Sequence, residues 1–176
     1  MINHFALKYN RIGDIFMADE KKLAQAKATF ETLCQTLANN DWKCKVKDEE
    51  KLIIECGAQG EDLPMDISVR VDPDRMLVIL LSRLPFVTKE DKRLDVAVAV
   101  SAVNNMLVDG SFDYDITSGD MYYRMTNSFM ESVISEEVFA YLLYASCNVI
   151  DDFNDKFLML AKGMLTLEQF LATLSK

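Results

Sequence analysis

The sequence has one histidine, His4, and its four cysteines, Cys34, Cys44, Cys56 and Cys147, form no C-x-x-C pair. A structural zinc site needs several ligands converging at short spacings, so neither a metal nor any other cofactor is expected. Cys44 falls on the apolar phase of a strand, and Cys34 and Cys147 fall beside apolar helix positions; all are read as free buried thiols. Basic side chains are in the minority. With 19 Lys and Arg against 28 Asp and Glu, the net charge of -9 argues against a nucleic-acid surface and against acidic membranes. No apolar run reaches the roughly 18 residues needed to span a bilayer, and the start lacks a signal-peptide pattern, so a cytoplasmic protein is expected. No repeat, low-complexity tract or linker is present, and 176 residues are read as a single domain, 1–176.

What the chain does contain is clear periodicity. Residues 1–19 fit neither period and are read as an irregular segment. From Glu20 to Ala38, Leu23, Ala26, Phe30, Leu33, Cys34 and Leu37 recur at helical steps. Trp42, Cys44 and Val46 then alternate with lysines and are assigned to a core-facing strand, while Leu52, Ile53 and Ile54 form its returning partner. Gly57 to Leu63 reads as a loop. Met65 to Val71 alternates, Asp72-Pro73-Asp74 turns, and Met76 to Leu81 is a continuous apolar strand; short connections make these four strands an antiparallel meander.

Thr88 followed by Asp91 predicts a helix from Lys89 to about Val108, with Gly110 as its left-handed cap. Between Asp95 and Asp109 no residue is charged. A helix apolar all round must be covered on more than one side: one side can lie on the sheet and the other needs a second helix or a second subunit, and for the second subunit Val98, Ala99 and Ala102 are the candidate homodimer interface. Asn104 and Asn105 are read as anchors for the following loop. Phe112, Tyr114 and Ile116 alternate with aspartates, Thr117 to Asp120 turns, and Met121 to Met125 returns as the sixth strand. An EF-hand reading of Asp113, Asp115 and Asp120 fails on spacing, because Ser118 stands where the loop glycine belongs and Arg124 where the bidentate glutamate belongs. Ser135 caps a long helix with the apolar stripe Phe139, Leu142, Leu143, Ser146, Val149, Ile150, Phe153, Phe157 and Leu160, ending at Gly163. Thr166 with Gln169 is a capping-box signature for a short last helix within 164–176. The order α-ββββ-α-ββ-α-α defines an α+β fold, an antiparallel sheet covered by helices.

The run from Val100 to Asp115, Val-Ser-Ala-Val-Asn-Asn-Met-Leu-Val-Asp-Gly-Ser-Phe-Asp-Tyr-Asp, followed by Met121-Tyr-Tyr-Arg-Met and by Ser135-Glu-Glu opening a long helix, resembles the YbjN-like family of bacterial proteins to which sensory transduction regulation is attributed. The resemblance implies a fold similar to type III secretion chaperones, which are small, acidic, usually dimeric binders of extended protein segments. It carries no catalytic residue with it.

Two function classes follow. The first is a non-enzymatic regulatory or chaperone-like domain whose partner is a protein or extended peptide segment, with Met121, Tyr123 and Met125 as the candidate binding surface and Met130, Met159 and Met164 as further adaptable positions, core filling being the favoured role for most of these methionines. The second is a small-molecule or enzymatic domain built on dispersed carboxylates and tyrosines, Asp113, Asp115, Tyr122 and Tyr123. Acid–base chemistry needs groups converging on one reacting atom, and no spacing here demonstrates that. The ligand arithmetic makes one expectation measurable. Elemental analysis of the purified protein is expected to find no stoichiometric metal, and a chelator is expected to leave its Tm unchanged; near-equimolar zinc would contradict this.

Overall fold

The computed structural model describes residues 20–174, so the N-terminal segment 1–19 lies outside the described residues. Helix α1 (Glu20–Asn39) is followed by strands β1 (Cys44–Asp48), β2 (Ile53–Gln59), β3 (Pro64–Asp72) and β4 (Leu77–Val87). A short 3-10 turn, Glu90–Lys92, opens into α2 (Arg93–Asn104); β5 (Ser111–Asp115), β6 (Asp120–Ser128), α3 (Glu136–Lys162) and α4 (Leu167–Thr173) complete the order. Among the described residues the strands form one six-stranded sheet, ordered β1-β2-β3-β4-β6-β5, and every pairing is antiparallel. The fold is α+β, in the expected element order.

Two of the hairpins turn by the same device. Asp48 accepts the Lys51 amide at 3.0 Å and Asp72 accepts the Arg75 amide at 3.1 Å; the next residues, Leu52 and Met76, are left-handed at φ 54°. A side chain there costs roughly 1–2 kcal/mol. Both side chains are buried, at 4% and 5% exposure, and burial worth about 1.5–3 kcal/mol offsets the strain.

The helix-facing side of the sheet carries the alternating set Ile54, Cys56, Ile67, Val69, Val78, Leu80, Met121, Tyr123 and Met125, all buried. Phe112 on β5 joins Phe153 and Phe157 from α3, and Phe157 in turn meets Phe170 from α4 with ring centroids 5.1 Å apart. On the opposite side of β2 to β6, side chains are exposed or half-buried apart from Tyr122 and Asp72. Local caps hold α3 and α4 in place. The Ser135 hydroxyl accepts the Val138 amide, Gly163 closes α3 at φ 77°, and Thr166 with Gln169 forms the complete capping box.

Four sequence-based expectations are corrected. Strand β2 runs on through Gly57 to Gln59, and β4 extends to Val87 because Leu84 and Phe86 stay in phase with the core; Pro85, which has no N–H to give, falls in the irregular register between Arg83 and Val87. A bulge between Cys44 and Val46 shifts the phase of β1, so that Lys47 stands opposite the buried Ile54; Cys44, before the bulge on this edge strand, is exposed although it stands opposite the buried Cys56. Helix α2 is shorter than predicted. Thr88 does not cap it, the true N-cap Lys92 uses no side chain, and Gly110 belongs to the loop before β5 rather than to a helix end.

That loop is tied to the sheet by side-chain amides and hydroxyls. Asn104 donates to the Phe112 carbonyl at 2.9 Å and accepts the Phe112 amide at 2.8 Å, standing in for a neighbouring strand along the edge of β5. Tyr123 donates to the Asp109 carbonyl at 3.0 Å, so close to Gly110 (φ 71°) that a Cβ there would overlap its phenol. In urea unfolding, Asn104→Leu should cost about 2 kcal/mol by stripping partners from both Phe112 backbone groups. Gly110→Ala should cost about 3 kcal/mol, the sum of left-handed strain and overlap. Wild-type midpoints for both would refute this account of the loop.

Candidate binding surface

The three residues expected to form a binding surface, Met121, Tyr123 and Met125, lie in the core at 0%, 1% and 2% exposure. Their strand alternates as read, but the methionine side of β6 is the one beneath α3, where the Ser146 hydroxyl approaches the Met125 sulfur at 3.7 Å. Burial pushes the Tyr123 phenol up to about 12. Met130 and Met164 are exposed and Met159 is half-buried.

Of the proposed interface, Ala99 is fully buried and cannot meet a partner, whereas Val98 is exposed and Ala102 half-buried. Helix α2 packs against β5, α3 and α4, which covers three sides and leaves a fourth. On that side Leu94, Val98 and Ala102 follow at four-residue steps, and Met106 and Val108 continue the apolar surface beyond the helix end. Sequence reasoning missed Leu94 and Met106. The spacing was visible; which stripe of an all-round apolar helix faces outward was not.

The carboxylates and tyrosines of the enzymatic alternative do not converge. Asp113 takes a bidentate contact from Arg124 at 2.7 and 3.1 Å, and Asp115 accepts the Thr117 amide. Asp113 and Tyr122 are cross-strand partners, while Tyr123 points to the opposite face. Asp120 is held by Arg83 at 2.5 Å. No group of three or more metal-ligating side chains forms among the described residues.

A different surface comes from the other end of the sheet. Between α1 and the β1–β2 hairpin lies a groove of about 770 Å³, with Leu23, Phe30, Cys34 and Leu52 as its apolar lining and Lys47 and Glu49 among its charged rim. Lys47 sits 6.0 Å from the Phe30 ring and pairs with Glu49 at 2.9 Å, a position it reaches because the bulge turns it to the helix side. The groove reaches β1 at Lys47, and the outer edge of that strand pairs with no other strand among the described residues. No signal local to the sequence could have found it, since its walls lie on separate elements.

The arrangement is a two-layer α+β one of acidic composition. The family model described as "YbjN: Putative bacterial sensory transduction regulator" matches residues 29–159, and the chain belongs to that family. No curated protein matches the chain. Among solved structures it is similar to the crystal structure of YbjN from E. coli, described as "a putative transcription regulator", at 14% identity and TM-score 0.52, over 72% of this chain and 91% of that one. At that identity the likeness concerns the fold. No described helix is long and apolar enough to cross a membrane.

The outward and inward positions of α2 give a paired expectation. Ala99→Glu would force a carboxylate into the core and should leave the chain unfolded by circular dichroism, while Val98→Glu should melt within about 1 kcal/mol of wild type. A cooperatively folded Ala99→Glu variant would show that this face of α2 is not core.

Proposed function

We propose that this chain is a non-enzymatic bacterial regulatory protein, acting in the cytoplasm as a single domain, that binds an extended segment of another protein. The observation that carries this reading is the apolar groove that meets β1 at Lys47, the outer edge of that strand being unpaired among the described residues. An extended segment laid along such an edge gains main-chain hydrogen bonds, while alternate side chains enter the groove. The likeness to chaperones of extended segments, noted from the sequence, supports the same mode. A second surface, the outward stripe of Leu94, Val98 and Ala102, suits self-association, since exposed apolar patches on soluble domains mark contact sites.

The test is a display library of extended peptides screened for saturable binding that also raises Tm. Leu23→Glu, at a groove position 40% exposed, should weaken any such peptide at least tenfold without unfolding the protein. A peptide indifferent to that change, or a library without hits, would remove the groove from consideration. For the second surface, light scattering should show a dimer that Val98→Glu converts to a folded monomer; a wild-type monomer at high concentration would refute self-association.

A further inference from the structure

Cysteines far apart in the sequence meet at one corner of the fold. Cys44 on β1 stands directly opposite Cys56 on β2, Cys34 of α1 lies within electrostatic reach of Cys44, and Cys147 of α3 within reach of Cys56. All four are free thiols. Directly opposed residues on antiparallel strands have Cα atoms about 4.5–5.5 Å apart, inside the range of about 4.4–6.8 Å that a disulfide spans. The flanking bulge at an edge strand gives Cys44 freedom to adjust.

We propose that Cys44 and Cys56 form a redox-responsive dithiol that a peroxide oxidises to an intrachain cross-strand disulfide. The two thiols have unequal roles. Cys44 is exposed, whereas Cys56 is 1% exposed and burial pushes its thiol up to about 12, so it stays protonated and out of an oxidant's reach. The Cys44 sulfur attacks the peroxide O–O bond, forming a sulfenic acid and releasing one water. The Cys56 sulfur then attacks the Cys44 sulfur, its proton leaves with the displaced hydroxide as a second water, and the S–S bond closes. In sum, two thiols lose two hydrogens and one peroxide becomes two waters. The other two contacts, Cys34 with Cys44 and Cys56 with Cys147, would each join a helix to a strand, whereas neighbouring strands stand only about 4.8 Å apart.

The bond would fix β1 to β2 at the end of the hairpin away from its turn. The assignment does not depend on the binding reading, because its test needs no ligand. The reduced full-length protein is titrated with hydrogen peroxide, free thiols are counted with a chromogenic reagent, and peptides are mapped without reduction. The expected result is a fall from four free thiols to two, one Cys44–Cys56 linked peptide, and a Tm that rises by a few degrees and returns on adding a reductant. Cys44→Ser should fold and form no intrachain disulfide. A full count of thiols after oxidation, a Cys34–Cys44 or Cys56–Cys147 link, a link between two chains through Cys44, or Cys44 oxidised without bonding to Cys56 would each overturn the proposal.

Discussion

The pairing of β4 with β6 is the constraint on which the rest of the molecule depends. From Leu77↔Ser128 to Arg83↔Tyr122 it joins strands separated in sequence by α2 and β5. Because β6 takes the place beside β4, β5 must lie outside it, and α2 must travel past β6 to deliver β5 to the sheet margin. Helix α2 is therefore held near that margin, packed against β5, α3 and α4. The absence of charge after Asp95 follows from this: three sides are covered, and an interior charge on any of them would lose its hydration.

The same topology leaves the sheet with two unlike edges. Along β5, the Asn104 amide supplies both a donor and an acceptor to Phe112, so hydrogen-bonding groups that would otherwise invite another strand are already satisfied. Along β1 no described strand plays that part, and the edge instead carries lysines and a bulge. Those features discourage indiscriminate edge-to-edge pairing while leaving the backbone reachable. An edge guarded against its own kind but bordered by an apolar groove suits a selective extended partner better than aggregation.

Features set by neighbours in sequence were legible: Ser135 and Thr166 as caps, Gly163 as a stop, Asn104 as a loop anchor. Each depends on groups within about eight residues, so the chain records both donor and acceptor locally. The alternation of β6 was legible too, but period two yields two faces and does not say which is inside; Tyr122 and Arg124 could as well have been inward as Tyr123 and Met125. The bulge in β1 was invisible because one extra residue leaves the composition of a strand unchanged. It turned Lys47 towards Phe30. The groove and the cysteine corner depend on pairings across the fold, which one sequence does not print.

The domain holds Asp113 and Asp120 with arginines and Asp115 with a turn amide. It has two features at one end of the sheet that act on the same element: a groove that leaves β1 approachable and an opposed thiol pair that would restrain it. Reduced, β1 is joined to the sheet by main-chain hydrogen bonds and the Lys45–Asp66 ion pair, with no covalent link, and as an edge strand with a bulge it can adapt to a partner. Oxidised, it would be tied covalently at one end, so its ability to adapt would fall without any change in the groove's chemistry. Signal and binding would then share a strand rather than communicate across the domain, and a coupling of that kind needs no conformational relay through the core.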